Sequence, residues 1–255
     1  MKYDFLSNLV IETGHLSRFT ARFFREAFKP RYELAELLRQ CYQIGYKSLP
    51  LVAVTAFIMG LVITIQSRPT LVEFGAEAWL PKMISVSLVR EIAPVITALI
   101  CAGKVGSGIG AELGSMKVTE QIDAMEVSGT NPFKFLVATR VLAATLMLPI
   151  LTVLADAVSL YGGYLGANIH GVVSWDLFWN QIFDTLVYGD VFPSLIKTFF
   201  FGFTIGIVGC YKGYFSNKGT EGVGLSANSA VVISSLLVFV IDLIAVQLSD
   251  IFQLT

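Results

Sequence analysis

The chain contains 255 residues, of which 55% are hydrophobic and 15% are charged. A soluble domain usually carries about 25% charged residues, so the deficit indicates a surface that faces lipid. The formal net charge of −1 argues against nucleic acid as a partner. The three cysteines lie far apart in the chain, which makes a disulfide framework or a metal cluster a poor interpretation.

Residues 1–47 form the first predicted element, an amphipathic segment at the cytoplasmic face of a membrane. Its first forty residues are mixed and basic, without the continuous apolar core of a cleavable signal peptide. One side carries apolar residues and the other carries cations: Leu16, Phe19, Phe23, Phe24 and Phe28 against Arg18, Arg22, Arg25 and Lys29. This pattern predicts an elbow helix on the membrane surface, ended by Pro30, with a disordered tail as the alternative. A second short helix is predicted over residues 32–42.

Five apolar stretches are long enough to cross a bilayer, which takes about 20 residues. They are residues 48–66, 83–103, 141–166, 194–214 and 230–249. Lys and Arg are abundant before the first stretch, after the second and at the end of the fourth, whereas residues 167–193 contain only acidic charges. The positive-inside rule therefore places the N-terminus in the cytoplasm and the C-terminus outside. The predicted fold class is an all-α integral membrane protein.

The loop between the second and third stretches predicts a cytoplasmic amphipathic helix over about residues 111–127. Leu113 and Ile122 contribute to its apolar side, and the chain from Gly129 to Pro132 is expected to stop it. An exposed helix with methionines and acidic residues suits docking into the groove of a partner protein. A helix that only rests on the membrane surface is the alternative. The polar and methionine positions of this segment are Glu112, Met116, Thr119, Glu120, Asp123 and Met125.

Four charged residues fall inside the apolar stretches, where each costs about 2.5–3.5 kcal/mol on insertion scales. They are Arg90, Glu91, Lys197 and Asp242. At a rise of about 1.5 Å per residue, all four lie in the outer half of the bilayer. They predict either a static ion network between three helices or a polar patch in an outward-opening cavity that meets a head group. Asp156 is a further candidate from the third stretch.

The spacing of the glycines bears on helix packing, and the positions of the two histidines bear on catalysis. Glycines spaced by four residues predict close helix packing, at Gly106, Gly110 and Gly114, at Gly202 and Gly206, and at Gly209 and Gly213. The stretch GKVGSGIG lacks the residue order of a P-loop, so it predicts no nucleotide site. Because His15 and His170 both lie outside the predicted spans, they support no catalytic site in the membrane. The sequence therefore predicts no catalytic residue, metal site or cofactor site in this chain.

Two blocks of sequence carry a resemblance to a known family. Residues 88–143 read LVREIAPVITALICAGKVGSGIGAELGSMKVTEQIDAMEVSGTNPFKFLVATRVLA, and a second block beginning at Pro149 reads PILTVLADAVSLYGG. The chain resembles the MlaE (YrbE) permeases, the membrane subunits of bacterial ABC transporters that move phospholipids between the inner and outer membranes. Lys104 stands where the family usually has Arg, which keeps the charge but loses the planar guanidinium.

The resemblance implies an assembly in the bacterial inner membrane. Residues 48–255 would be an MlaE-type permease domain, and the chain would act as a homodimer. The implied partners are an MlaF-like ATPase that binds ATP and Mg, an MlaD-like hexamer of periplasmic MCE-domain subunits and, in some systems, an MlaB-like STAS-domain protein. The implied function is phospholipid movement between the inner membrane and the MCE protein, which helps to maintain outer-membrane lipid asymmetry.

The resemblance also implies roles for particular residues. Arg90, Glu91, Lys197 and Asp242 match the family's cavity charges, and Leu71 and Phe74 match positions that line the apolar part of the cavity. Residues 111–127 match the coupling helix that inserts into the ATPase.

Two other functions explain part of the pattern. A secondary ion-coupled transporter accounts for carboxylates inside the membrane, but such folds usually show paired repeats, and the sequence has no recognisable repeat. A scaffold that only anchors MCE subunits predicts that neutralising the four charges leaves lipid traffic intact.

Overall fold

The computed structural model describes residues 2–27, 33–169, 173–217 and 219–251, with side chains from residue 10 onward in the first range. Phe28, Lys29 and Pro30, where the first helix is predicted to end, and His170 lie outside the described residues. All regular structure within these ranges is helical. The α-helices are α1 (Lys2–Ala27), α2 (Leu34–Cys41), α3 (Leu49–Glu73), α4 (Leu80–Ser87), α5 (Ala93–Cys101), α6 (Ser107–Val118), α7 (Gln121–Val127), α8 (Thr139–Asn168), α9 (Trp175–Thr185), α10 (Tyr188–Tyr214) and α11 (Thr220–Ile251).

Five helical stretches are long and apolar enough to cross a membrane, so the all-α fold and the number of spans are confirmed. They are Leu34–Glu73, Glu77–Val118, Phe133–Asn168, Tyr188–Tyr214 and Thr220–Ile251. Every predicted span lies inside one of these stretches, and every stretch is longer than its prediction. The extra residues are the more polar ends, which a hydropathy pattern excludes although the backbone stays helical.

Wider π-helical turns join several of the helices into these long stretches. They are Tyr42–Tyr46, Leu88–Ile92, Ala102–Gly106 and Phe133–Ala138, and a short 3₁₀ turn covers Glu77–Trp79. The second short helix, predicted over residues 32–42, forms as α2 but is not separate. A π-helical turn carries it towards α3, so it belongs to the first spanning stretch.

The prediction of one continuous helix over residues 111–127 is wrong, because the structure divides this segment between α6 and α7. Glu120 adopts a left-handed conformation with φ of 59°, which interrupts the helix between them. Gly129, with φ of 80°, ends α7 in the backbone pattern typical of a glycine after a helix: its N–H donates to the carbonyl of Glu126. The predicted stop at Gly129 is therefore confirmed, whereas the internal break was missed.

The chain forms two compact units, and the first comprises Met1–Ile44, Ala102–Ala144 and Phe203–Ser235. In this unit Phe19 and Phe23 of α1 are buried while Arg18 is exposed, as the amphipathic pattern predicts. The Phe19 ring packs against rings of the same unit, at centroid distances from 5.0 to 6.1 Å: Phe133, Tyr211, Tyr214 and Phe215. The apolar side of α1 thus packs largely on protein, and its position on a membrane surface stays a prediction.

The predicted close packing at glycines is observed within the first unit. A Cβ on Gly213 would lie 2.9 Å from the carbonyl oxygen of Gly110, and a Cβ on Gly206 would lie 2.9 Å from the Cα of Val141. These glycines let α10 approach both α6 and α8 closely.

The second compact unit comprises Gly45–Cys101, Thr145–Gly202 and Leu236–Thr255. Here α3 and α8 approach so closely that a Cβ on Gly60 would overlap the carbonyl oxygen of Ser159. A core of fully or nearly fully buried side chains lies in the same unit, formed by Leu80, Ile84, Leu88, Val89, Leu160, Ala167, Phe178 and Ile182.

Helix α9 was not predicted, because no helix was expected between residues 167 and 193. Its start is recognisable in hindsight, because the Ser174 hydroxyl accepts a hydrogen bond from the Leu177 N–H at 3.3 Å. Phe178 and Ile182 then lie one turn apart and enter the buried core. The helix is too short to span a bilayer, so a search for spans could not find it.

Candidate functional site

The second unit holds the charged residues predicted within the spans, and a π-helical turn presents two of them. Pro94 has no N–H to donate to the carbonyl of Arg90, and its ring disfavours a regular α-helical turn there. The chain adopts the wider turn Leu88–Ile92 just before this proline. Such turns often occur at functional sites. Arg90 and Glu91 lie in this turn, on a helix that is otherwise apolar.

Lys197 of α10 lies at the centre of the cluster, with only 4% of its side chain exposed. Its ammonium donates to Glu91 Oε2 at 2.7 Å and to Asp242 Oδ1 at 2.9 Å. Burying an ammonium in a low-dielectric environment costs several kcal/mol unless carboxylates compensate its charge. The two carboxylate partners are therefore more important to Lys197 than they would be to a lysine at the protein surface. The structure thus brings together three of the four predicted charges, from the turn Leu88–Ile92, α10 and α11.

Arg90, the fourth predicted charge, pairs with a residue that the prediction did not include. Its Nη1 lies 3.6 Å from Oδ1 of Asp190, in the first turn of α10. The other oxygen, Asp190 Oδ2, accepts the Val187 N–H at 3.1 Å. This carboxylate therefore satisfies a backbone donor at the start of α10 and also attracts the guanidinium.

Arg90, Glu91, Asp190 and Lys197 line one open pocket. Ser194 also lines it and ties α10 to the π-helical turn, because its hydroxyl donates to the Val89 carbonyl at 2.7 Å. Ala245 and Val246 of α11 add an apolar wall. The described residues around this pocket do not include Leu71 or Phe74. Leu71 packs against the buried core, and Phe74 is 79% exposed at the end of α3.

Asp156 of α8 lies near enough to Lys197 for an electrostatic interaction. Its buried Oδ1 has no hydrogen-bond partner within the described residues. Asp156 is therefore a neighbour of the cluster and not one of the carboxylates bonded to Lys197.

The predicted coupling segment lies in the first unit, where one ion pair joins α6 to α8 and another joins α6 to α7. Glu112 pairs with the buried Arg140 at 2.9 Å, and Lys117 pairs with Asp123 at 2.8 Å. Thr119, Glu120 and Asp123 are exposed, whereas Met116 and Met125 are half-buried. Val127, at the end of α7, is 91% exposed. This segment thus presents both acidic and apolar surface to its surroundings.

Comparison with known proteins finds relatives that match most of the chain, and they are all named as permeases. Residues 37–248 match the family model described as permease MlaE. A probable ABC transporter permease protein of Rickettsia typhi is 40% identical over 86% of this chain and 85% of its own length. A probable ABC transporter permease protein of Synechocystis is 38% identical over 87% of this chain and 84% of its own length.

A further relative has a more specific name. The intermembrane phospholipid transport system permease protein MlaE of Haemophilus influenzae is 32% identical over 82% of this chain and 80% of its own length. The chain therefore belongs to the MlaE permease family, as a multi-pass membrane permease of an ABC transporter.

Proposed function

We propose that this permease moves phospholipids between the bacterial inner membrane and a periplasmic MCE protein, and so helps to maintain outer-membrane lipid asymmetry. One observation carries the proposal: Arg90, Glu91, Asp190 and Lys197 line a single pocket that is bounded by the apolar wall of α11. Charges beside apolar surface match an amphipathic ligand better than they match a simple ion. The name of the Haemophilus relative supports phospholipid as that ligand.

The lining of the pocket indicates how a lipid is held. Its charged side chains suit a polar head group, and they are not a surface for acyl chains. The chains need further apolar surface. Of the five spans α11 is the least buried, and its apolar residues are available for that purpose. In the proposed homodimer, this surface and its copy together hold the acyl chains, with Leu71 and Phe74 as further apolar positions.

The energy for transport is proposed to come from an MlaF-like ATPase that binds ATP and Mg. This subunit would dock on α6 and α7, where Asp123 and Val127 are exposed. Closure of two ATPase copies would push the segment and change the shape of the lipid site. The ATPase then belongs on the cytoplasmic side, with the N-terminus, and an MlaD-like hexamer belongs on the periplasmic side, with the C-terminus. An MlaB-like STAS protein bound to the ATPase is compatible with this arrangement.

The test is lipid transfer by the complete transporter in reconstituted vesicles. Labelled phospholipid in the vesicle membrane should reach the MCE subunits only when ATP is supplied. Replacing Glu91 and Asp242 by their amides should reduce the transfer rate. Changing Arg68 and Glu77, an ion pair that does not line the pocket, to Gln should leave it unchanged. Transfer that proceeds without ATP would favour an ion-coupled carrier, and normal transfer by the amide variant would favour a scaffold.

A further inference from the structure

The charged side chains at the pocket differ in how exposed they are and in how many of their polar atoms are free to bind a ligand. Lys197 is almost fully enclosed, and two of its N–H groups are committed to Glu91 and Asp242. Asp190 is 11% exposed and accepts a backbone N–H as well as facing Arg90. Asp242 is 18% exposed and does not line the pocket. These three groups mainly compensate each other within the protein.

Two neighbouring side chains remain accessible in the same pocket, and they carry opposite charge. Glu91 is 41% exposed and uses Oε2 for Lys197, which leaves Oε1 for a ligand. Arg90 is 31% exposed, and its 3.6 Å separation from Asp190 exceeds hydrogen-bond distance, so its donors are open to a closer acceptor. A ligand therefore meets an acceptor and a cationic donor side by side.

The overall charge around the pocket disfavours one class of head group. Arg90 and Lys197 face three carboxylates, those of Glu91, Asp190 and Asp242, so the formal charge of the five groups is −1. A lipid with a net negative head group gains from Arg90 but is repelled by this excess. A lipid that carries both a phosphate and an ammonium meets a complementary partner at each end.

We infer that the pocket selects zwitterionic phospholipids over anionic ones, with Arg90 binding the phosphate and Glu91 binding the head-group ammonium. The inference rests on the proposed function and assigns its substrate class. Glu91 is then a specificity-determining residue, and Lys197 is a positioning residue that holds the Glu91 carboxylate at the pocket wall. Partly exposed ion pairs contribute at most about 1 kcal/mol, so we expect a preference of about threefold to fivefold.

The experiment is a competition in the complete reconstituted transporter. Donor vesicles contain phosphatidylethanolamine and phosphatidylglycerol in equal amounts, and mass spectrometry measures the ratio of the two lipids delivered to the MCE subunits with ATP. The wild-type transporter should deliver about threefold more phosphatidylethanolamine or better. Equal delivery, or an excess of phosphatidylglycerol, would overturn the inference while leaving phospholipid transport intact. Failure to deliver either lipid would instead overturn the proposed function, and the inference with it.

Substitutions at Glu91 separate recognition from structure. Glu91→Gln can still accept from Lys197, but it removes the charge that attracts the ammonium, so the ratio should fall to one or below. Glu91→Asp keeps the carboxylate and should retain a preference for phosphatidylethanolamine. The double substitution Arg68→Gln/Glu77→Gln removes an ion pair of the same unit that does not line the pocket, and it should leave the ratio unchanged. If Glu91→Gln slows both lipids equally at an unchanged ratio, Glu91 is only structural and the inference is wrong.

Discussion

Lys197 illustrates how a single side chain can stabilise the fold of this protein. Its ammonium is enclosed and bonded to two carboxylates from different helices, so each partner compensates a charge that the membrane interior would otherwise disfavour. Removing one member of a buried ion pair costs more than the pair contributes, because the remaining charge is left without compensation.

Lys197→Met should therefore destabilise the protein strongly. The substitution leaves Glu91 and Asp242 close together without a cation, and we expect a loss of about 3–5 kcal/mol in the free energy of unfolding. Thermal unfolding in detergent measures it as a lower midpoint. In Lys197→Met/Asp242→Asn the partly buried carboxylate of Asp242 is also removed, so much of the loss should be recovered. A midpoint for Lys197→Met equal to that of the wild type would show that the cluster does not support the fold.

The sequence predicted four of the five charged residues at this site, because a charge within an apolar run stands out. Asp190 was not predicted because it lies beside Gly189 and before Pro193, in a segment that looks like a polar loop. Its role depends on α10 beginning at Tyr188 and not at residue 194. Glu112 was predicted to contact a partner protein, and its pairing with Arg140 depends on a tertiary contact that the local sequence does not reveal.

At the scale of elements, helix packing in the second unit depends on α3 and α8 passing each other at very short distance. The backbone carbonyl of Ser159 occupies the space in which a side chain at Gly60 would lie, and that of Phe57 does the same at Gly162. Backbone atoms cannot move aside as a flexible side chain can, so these positions tolerate only glycine.

Gly60→Ala should separate α3 from α8. We expect a loss of about 1–3 kcal/mol in the free energy of unfolding, as is typical of overpacking, and a lower thermal midpoint. Gly108→Ala is the matched control, because a Cβ at Gly108 meets nothing within 4 Å. There the better helix propensity of alanine should leave the midpoint unchanged or raise it. Equal midpoints for the two variants would contradict the close crossing.

The break between α6 and α7 gives a second prediction at this scale. Glu120→Gly should maintain or raise the thermal midpoint, because glycine adopts the left-handed conformation at φ of 59° without steric cost. Glu120→Val should lower the free energy of unfolding by about 1–2 kcal/mol, and the midpoint with it, since a side chain that is branched at Cβ is strained there. A continuous helix across residues 107–127 would reverse this order, and the two midpoints measured in parallel distinguish the cases.

Local pattern predicted the apolar cores of all five spans but not their polar ends, the short helix α9 or the turn at Glu120. Span cores follow from hydropathy, which is additive along the chain. The break at Glu120 does not, since Glu is a good helix former and neither Gly nor Pro marks the position. There the conformation of the folded protein overrides the propensity of the residue.

At the scale of the whole molecule, the permease presents two surfaces with different chemistry. The first unit exposes the acidic and apolar segment of α6 and α7, and the second unit holds the charged pocket and its apolar wall. The proposed mechanism assigns ATP binding to a separate ATPase and acceptance of the lipid to an MCE protein.

The central claim, that this permease works within an ATPase-driven lipid transporter, is tested most directly by co-purification of the tagged chain from its native membrane. Mass spectrometry then identifies the proteins and lipids that accompany it. The account predicts an ATPase, an MCE-domain protein and bound phospholipid, with the ATPase lost from Asp123→Lys and retained by the Arg68→Gln/Glu77→Gln control. Recovery of the chain alone, with neither partner, would contradict the account and favour an ion-coupled transporter.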